Sequence, residues 1–199
     1  MNSGQLLLIF VRNLQKGRVK TRLATTVGHD KALAIYKELL LHTFEFAKSC
    51  PCTKRVCYSD YIEETDMWQN SGFEQDLQSG GDLGAKMYNA FATAFDGGYK
   101  EVILIGSDCM ALDENLLSES FKQLQQHQHQ AVLGPATDGG FYLIGLKSLA
   151  NNFFLKKTWS HDKVFEEMQA DLKQQGLIPH LLPTLSDIDV EQDWINHIK

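Results

Sequence analysis

No apolar run in this chain is long enough to cross a bilayer. The longest, Leu6 to Val11, is far short of about 20 residues, and Arg12 ends it. Met1 to Gln5 also lacks the basic start that precedes the apolar stretch of a secretory signal. A cytoplasmic protein without a membrane partner is therefore expected. Basic charge is scarce: 19 Lys and Arg against 25 Asp and Glu leave a formal charge of -6, which argues against nucleic acid as a partner. Any anionic ligand must be held locally. The four cysteines, Cys50, Cys52, Cys57 and Cys109, contain no pair of CxxC spacings, and a chain of 199 residues does not need disulfide staples, so reduced structural thiols are expected. No fixed-period repeat, low-complexity tract or Pro/Gly/Ser linker marks an internal boundary, so one domain over residues 1–199 is expected.

What the chain does contain is an alternation of short apolar runs with longer helical patterns. Leu6 to Arg12, Arg55 to Ser59, Phe73 to Gln78, Glu101 to Gly106 and Gln130 to Gly134 read as strands. Between them, apolar residues three or four apart mark helices over Asp30 to Lys48 and Asp82 to Phe95, and again at Leu116, Leu117, Ser120, Phe121 and Leu124. Further helices are expected over His161 to Gln174 and Glu191 to Ile198. This β-α-β alternation implies an α/β domain with a mostly parallel sheet flanked by helices. Phe141 to Leu146 follows the previous strand too closely for a crossover helix, so an antiparallel strand is expected there. Ligands of such sheets sit beyond the carboxyl ends of the strands, which directs attention to the residues just after each one.

After the first strand, Lys16 to Leu23 brings four cations and Gly17 together. A glycine admits close backbone approach, and Lys20 and Arg22 can neutralise a diphosphate. The GxxxxGK[ST] spacing of a Walker loop is absent, and a solvated basic turn is the plain alternative. The fourth strand leads to Asp108, well placed to hold Mg²⁺ or Mn²⁺, cations that use one or two carboxylates together with phosphate oxygens and water. A turn cap is its plain alternative. Asp138, before Gly139-Gly140, can serve as base or acceptor contact, or simply as part of a turn. Asp187 and Asp189 share a face if extended, so both can meet one ion, or one can cap the last helix. Gly81 and Asp82 open a helix whose amides can face an anion.

Together these segments resemble bacterial transferases of the GT-A nucleotide-diphospho-sugar transferase superfamily, the group of glycosyltransferases associated with arsenosugar biosynthesis or with radical-SAM and selenium-related clusters. The resemblance rests on GRVKTRLA at Gly17 to Ala24, Gln78 with GGDLGAKM at Gly80 to Met87, LIGSDC at Leu104 to Cys109, LGPATDGGFYLIGL at Leu133 to Leu146, Trp159-Ser160, and DID at Asp187 to Asp189. The chain departs from that pattern at Leu14, Lys16 and Met110, where prolines are usual, and at Gly106, where a two-carboxylate DxD would begin.

The resemblance implies a single-domain GT-A-like fold and a metal-dependent glycosyltransferase using a nucleoside-diphosphate-sugar donor and a small-molecule acceptor. In that reading Arg12, Lys20 and Arg22 hold donor phosphates, Asp108 with Asp187 or Asp189 holds Mg²⁺ or Mn²⁺, and Asp138 serves the acceptor. A homodimer is an allowed assembly. The lone Asp108 equally fits a nucleotidyltransferase, which joins an NTP to a phosphorylated acceptor and releases pyrophosphate. A non-catalytic nucleotide-binding protein is the third reading.

Overall fold

The alternation of side chains along the first strand explains the architecture. A computed structural model of the chain describes residues 4–149, 154–155, 157–159 and 161–198. In β1 (Gln5–Val11), Leu7 and Ile9 face one core while Leu6 and Leu8 face another, because successive strand residues point to opposite faces. The first core is closed by α1 (Thr21–Val27), α2 (His29–Ser49) and α4 (Glu114–Gln125), through Leu23, Ile35, Leu39, Phe121 and Leu124. The second is closed by α3 (Leu83–Asp96) and α5 (Val164–Gln174), through Met87, Phe91, Met168 and Leu172. A strand covered on both faces has no polar side, which is why β1 reads as an unbroken apolar run.

With β2 (Thr53–Tyr58), β3 (Glu74–Leu77), β4 (Glu101–Ile105), β5 (Ala131–Pro135), β6 (Phe141–Leu146) and β7 (Pro179–Leu181), the sheet has the order β3-β2-β1-β4-β6-β5-β7. Every pairing is parallel except those of β6, which runs antiparallel to both β4 and β5. The turn from β5 to β6 is too short for a crossover, so the chain must double back. Gly139 makes that turn at φ 86, where a Cβ would stand 1.9 Å from the Asp162 carbonyl oxygen; no other residue fits. The last helix, α6 (Glu191–His197), packs Trp194 against the first core.

The structure differs from the sequence expectations in three places. Part of the supposed basic loop is helical, since α1 begins at Thr21 and includes Arg22. The short edge strand β7 has too few residues to show a period, and α5 begins at Val164 rather than His161. As expected of reduced structural thiols, all four cysteines are free and buried; Cys50 and Cys52 bring their Sγ atoms within 2.8 Å, whereas Cys57 lies in the opposite core. Ser160, one of the residues carrying the resemblance, lies outside the described residues. Among the described residues, no helix is long and apolar enough to cross a membrane.

Candidate functional site

The adjacent strands β1 and β4 end at the same edge of the sheet, and the segments that follow them converge there. Lys20 stands just ahead of α1 in the left-handed region at φ 46, an uncommon conformation for a residue with a Cβ. Its side chain is only 6% exposed, and its Nζ lies 3.0 Å from Asp108 Oδ1 and 3.1 Å from Asp189 Oδ1. Arg22 approaches the same Asp189 through Nη1 at 3.4 Å, but its side chain is 67% exposed. Lys20 is thus a nearly buried ammonium between two carboxylates.

Backbone pairing, rather than charge alone, brings the carboxylates together. The Ile188 N–H donates to the Asp108 carbonyl at 2.9 Å, and the buried Ile188 side chain joins the α2-side core. Just before it, Leu185 N–H donates to Pro135 O at 3.1 Å and Thr137 N–H to Leu185 O at 2.9 Å. The DID segment is therefore laid along the ends of β5 and β4. The expectation that Asp187 or Asp189 caps the last helix is corrected: Asp193 Oδ2 accepts from the Asp189 and Val190 amides, each at 2.9 Å. Both DID carboxylates are released for other work.

Their environments differ. Burial raises Asp187, and the charges of Asp108 and Asp138 add to it, so its pKa is pushed up to about 7 despite the opposing effect of Lys20. For Lys20, burial acts to lower the pKa, yet Asp108 and Asp189 outweigh it and hold the ammonium above its ordinary value. Asp189, not Asp187, is the partner of Lys20 and Arg22. Among the described residues, no group of three or more His, Cys, Asp or Glu side chains is gathered closely enough to hold a metal ion.

The remaining sequence candidates are spread around this edge. Arg12 and Gly17 are exposed in the segment between β1 and α1, with Gly17 at φ 82. Asp138 is exposed at the β5–β6 turn, where its Oδ1 accepts from the Gly140 N–H at 2.9 Å; its charge is felt by Asp187. Asp82 stands at the start of α3, where its Oδ1 caps the helix by accepting from the Ala85 amide at 2.8 Å. Gly81 is exposed beside it. A recess of about 320 Å³ under α3, lined in part by Arg55, Asp76, Gln78 and Asn89, does not include Lys20, Asp108 or Asp189.

Several supporting residues carried no signal by spacing. The Arg12 N–H donates to Tyr36 Oη at 2.8 Å, and that hydroxyl is hydrogen-bonded with buried Ser107 Oγ at 3.1 Å, tying α2 to the ends of β1 and β4. Buried Asn13 accepts at Oδ1 from the Asp60 amide at 3.0 Å and donates from Nδ2 to Tyr61 O at 2.8 Å. Gln78 donates to Val11 O at 3.1 Å and Cys57 O at 2.9 Å, stitching β1 to β2. Asn13, Gln78 and Ser107 follow strands as polar residues, whereas Tyr36 reads in the sequence only as part of the apolar face of α2.

Two oxygen donors around a stand-in cation suit a hard divalent ion. Mg²⁺ and Mn²⁺ commonly take one or two carboxylates and complete their shell with phosphate and water, which Asp108 and Asp189 can provide for without a third protein ligand.

A mostly parallel sheet with converging acidic and basic groups at its carboxyl edge defines a nucleotide-diphospho-sugar transferase-like α/β fold. Residues 42–161 match the family described as "Uncharacterized protein conserved in bacteria (DUF2064)", and the chain belongs to that family. It is also similar, with 30% identity and a TM-score of 0.86, to a solved structure from Desulfovibrio desulfuricans G20 named as a candidate nucleotide-diphospho-sugar transferase; the match covers 96% of this chain and 84% of that one. More distant folds include a cytidylyltransferase of Leptospira borgpetersenii serovar Hardjo-bovis (14% identity, TM-score 0.60, 96% and 83% of the two chains). Another is the 4-diphosphocytidyl-2C-methyl-D-erythritol synthase of Anaerococcus prevotii DSM 20548 (9%, 0.60, 97% and 94%). No curated protein matches the chain.

Proposed function

We propose that this protein is a glycosyltransferase that moves a sugar from a nucleoside-diphosphate donor to a small acceptor with the help of Mg²⁺ or Mn²⁺. The observation that carries the reading is the Lys20 ammonium between Asp108 and Asp189 at the carboxyl edge of the sheet. The 30%-identical relative named for nucleotide-diphospho-sugar transfer supports it.

In this reading Asp108 and Asp189 hold the cation. Lys20 leaves them and turns its ammonium to the donor phosphates, joined from the solvent side by Arg22 and Arg12. Asp138 and the backbone at Gly17 and Gly81 line the approach of acceptor and donor, while Asp82 keeps the α3 amides in order. A bound Mg²⁺ or Mn²⁺ supplies Lewis-acid neutralisation of charge on the departing diphosphate. Fixed positive groups aimed at that charge are worth most in the transition state, where it is greatest.

One feature favours a second reading. Gly106 leaves a single carboxylate after β4, and cytidylyltransferases share the fold, so transfer of a nucleotide from an NTP to a phosphorylated acceptor uses the same groups. Product analysis separates the two. Incubation with nucleotide sugars and with NTPs, with Mn²⁺ and a mixture of small acceptors, should release nucleoside diphosphate under the first reading and pyrophosphate under the second. Binding of these nucleotides without turnover of any would replace both readings with a non-catalytic nucleotide-binding role.

A further inference from the structure

Cys50 terminates α2 and Cys52 leads into β2, with the exposed Pro51 between them. Proline fixes its own φ and helps set the bend at this corner. The two Sγ atoms lie 2.8 Å apart, closer than the roughly 3.5–4.0 Å at which non-bonded heavy atoms rest. Cys50 is 5% exposed and Cys52 9%. Lys54, whose Nζ donates to Cys50 O at 3.0 Å, adds a cation beside them. This corner joins the start of β2, whereas Lys20 and Asp108 lie beyond the other end of the sheet. Nothing in the proposed transfer reaction uses it.

We propose that Cys50 and Cys52 form a dithiol that hydroperoxides oxidise to an intrachain disulfide. The thiolate sulfur of Cys50 attacks one peroxide oxygen; the O–O bond breaks, Cys50 becomes a sulfenic acid, and hydroxide or alkoxide leaves and takes up a proton. The Cys52 sulfur then attacks the Cys50 sulfur, the S–O bond breaks, and the leaving hydroxide takes the Cys52 thiol proton as water. The two sulfurs give up two electrons and two protons, and hydrogen peroxide becomes two waters.

The order of attack follows from the local environment. The hydrogen bond between the two sulfurs holds Cys50 below the ordinary thiol range against the effect of burial, with Lys54 assisting and Glu114 opposing. The same hydrogen bond, together with burial, pushes Cys52 up; with the Lys54 ammonium held 3.0 Å from the Cys50 carbonyl oxygen, Cys50 attacks and Cys52 resolves. A small peroxide suits thiols this enclosed. The remaining cysteines stand apart, Cys57 in the opposite core and Cys109 3.7 Å from the Ser186 carbonyl.

The test uses the full chain, freed of metal and titrated with hydrogen peroxide. Remaining thiols are alkylated before intact-mass measurement and peptide mapping. The expected result is loss of two of the four thiols, loss of two hydrogen atoms of mass, a link between Cys50 and Cys52, and reversal by dithiothreitol. Cys52→Ser should leave a sulfenic acid on Cys50 that dimedone traps, and Cys57→Ser should form the same disulfide as the wild type. Retention of all four thiols, a link involving Cys57 or Cys109, or direct passage of Cys50 to sulfinic acid would overturn the proposal. The wild-type map decides the question even where a variant fails to fold.

Discussion

Among the described residues, two cations each face two carboxylates, Lys20 with Asp108 and Asp189, and Arg55 with Glu74 and Asp76. Arg55 sits opposite Glu74 in the β2–β3 register, so its partners come from the neighbouring strand and two residues apart. Any sheet with these side chains on one face would bring them together. The partners of Lys20 arrive from the ends of two distant segments, and Lys20 and Asp189 are 169 residues apart in sequence. Folding has to bring these groups together, and it leaves the ammonium nearly buried. The contrast teaches that the number of charges in a cluster says little about its use. Its place at the carboxyl edge of the sheet and the convergence of separate chain segments make the Lys20 cluster the candidate site.

The largest expected effect is on Asp108. Asp108→Asn should lower turnover of the donor about 10²–10³-fold, in line with removal of one group that stabilises transition-state charge. Steady-state rates on the purified variant check this, and turnover within a few-fold of wild type would remove Asp108 from the chemistry. Arg55→Met should leave turnover intact, losing only an edge pair worth roughly 0.2–1 kcal/mol of stability.

Lys20→Met sharpens the comparison because it should move two affinities in opposite directions. With Mn²⁺ present, calorimetry should show donor binding weakened by about 2–5 kcal/mol, as for loss of a buried charge contact. Without nucleotide, Mn²⁺ should bind roughly tenfold more tightly, about 1.4 kcal/mol, since the competing ammonium is gone from between Asp108 and Asp189. Unchanged Mn²⁺ affinity, by titration or electron paramagnetic resonance, would show that Lys20 does not occupy the cation's place.

Arg22→Ala should do less than its neighbour. A guanidinium that is 67% exposed is screened by water, so the loss in donor affinity should be about 1 kcal/mol or less. Its sequence position invites a larger estimate, which burial of Lys20 transfers to that residue instead. A loss as large as that of Lys20→Met would place the donor phosphates on the outer side of α1.

The smallest effect concerns pH. Asp187 titrates near 7 in the folded protein and near 3.8 when unperturbed, so between about pH 4 and 7 the native state holds a proton the unfolded chain has lost. Stability from this group is therefore present at the acid end of that window and declines as pH rises through it. Thermal unfolding of metal-free protein should show that slope in the wild type and a flatter one in Asp187→Asn. An unchanged slope would mean that Asp187 is not protonated in the native state, whereas Arg55→Met should retain the wild-type slope.

Much of the fold was legible because the elements rest on local patterns. The apolar run of β1, the 3–4 spacing of α2 and α3, and the short β5–β6 connection each follow from covering a sheet on two faces with a chain of fixed periodicity. The segments around Lys20, Asp108, Asp138 and Asp187 were legible for a related reason, since each follows or precedes a strand. Less legible were β7, too short to show a period, and the helical turn at Thr21–Val27 within a run of cations. The roles of Tyr36 and Gln78 were hidden because their partners are backbone atoms and a serine on other elements.

The sequence by itself determined the alternation of strands and helices, the reversal at Gly139, and the presence of charged groups at strand ends, because all of these depend on neighbours along the chain. Tertiary structure alone decided which groups meet. The Ile188–Asp108 backbone hydrogen bond and the Asp193 cap select Asp189, not Asp187, for Lys20, and the corner after α2 joins Cys50 to Cys52 while Cys57 points into the other core. Such pairings combine long-range backbone register with burial, and neither quantity is a property of any one segment.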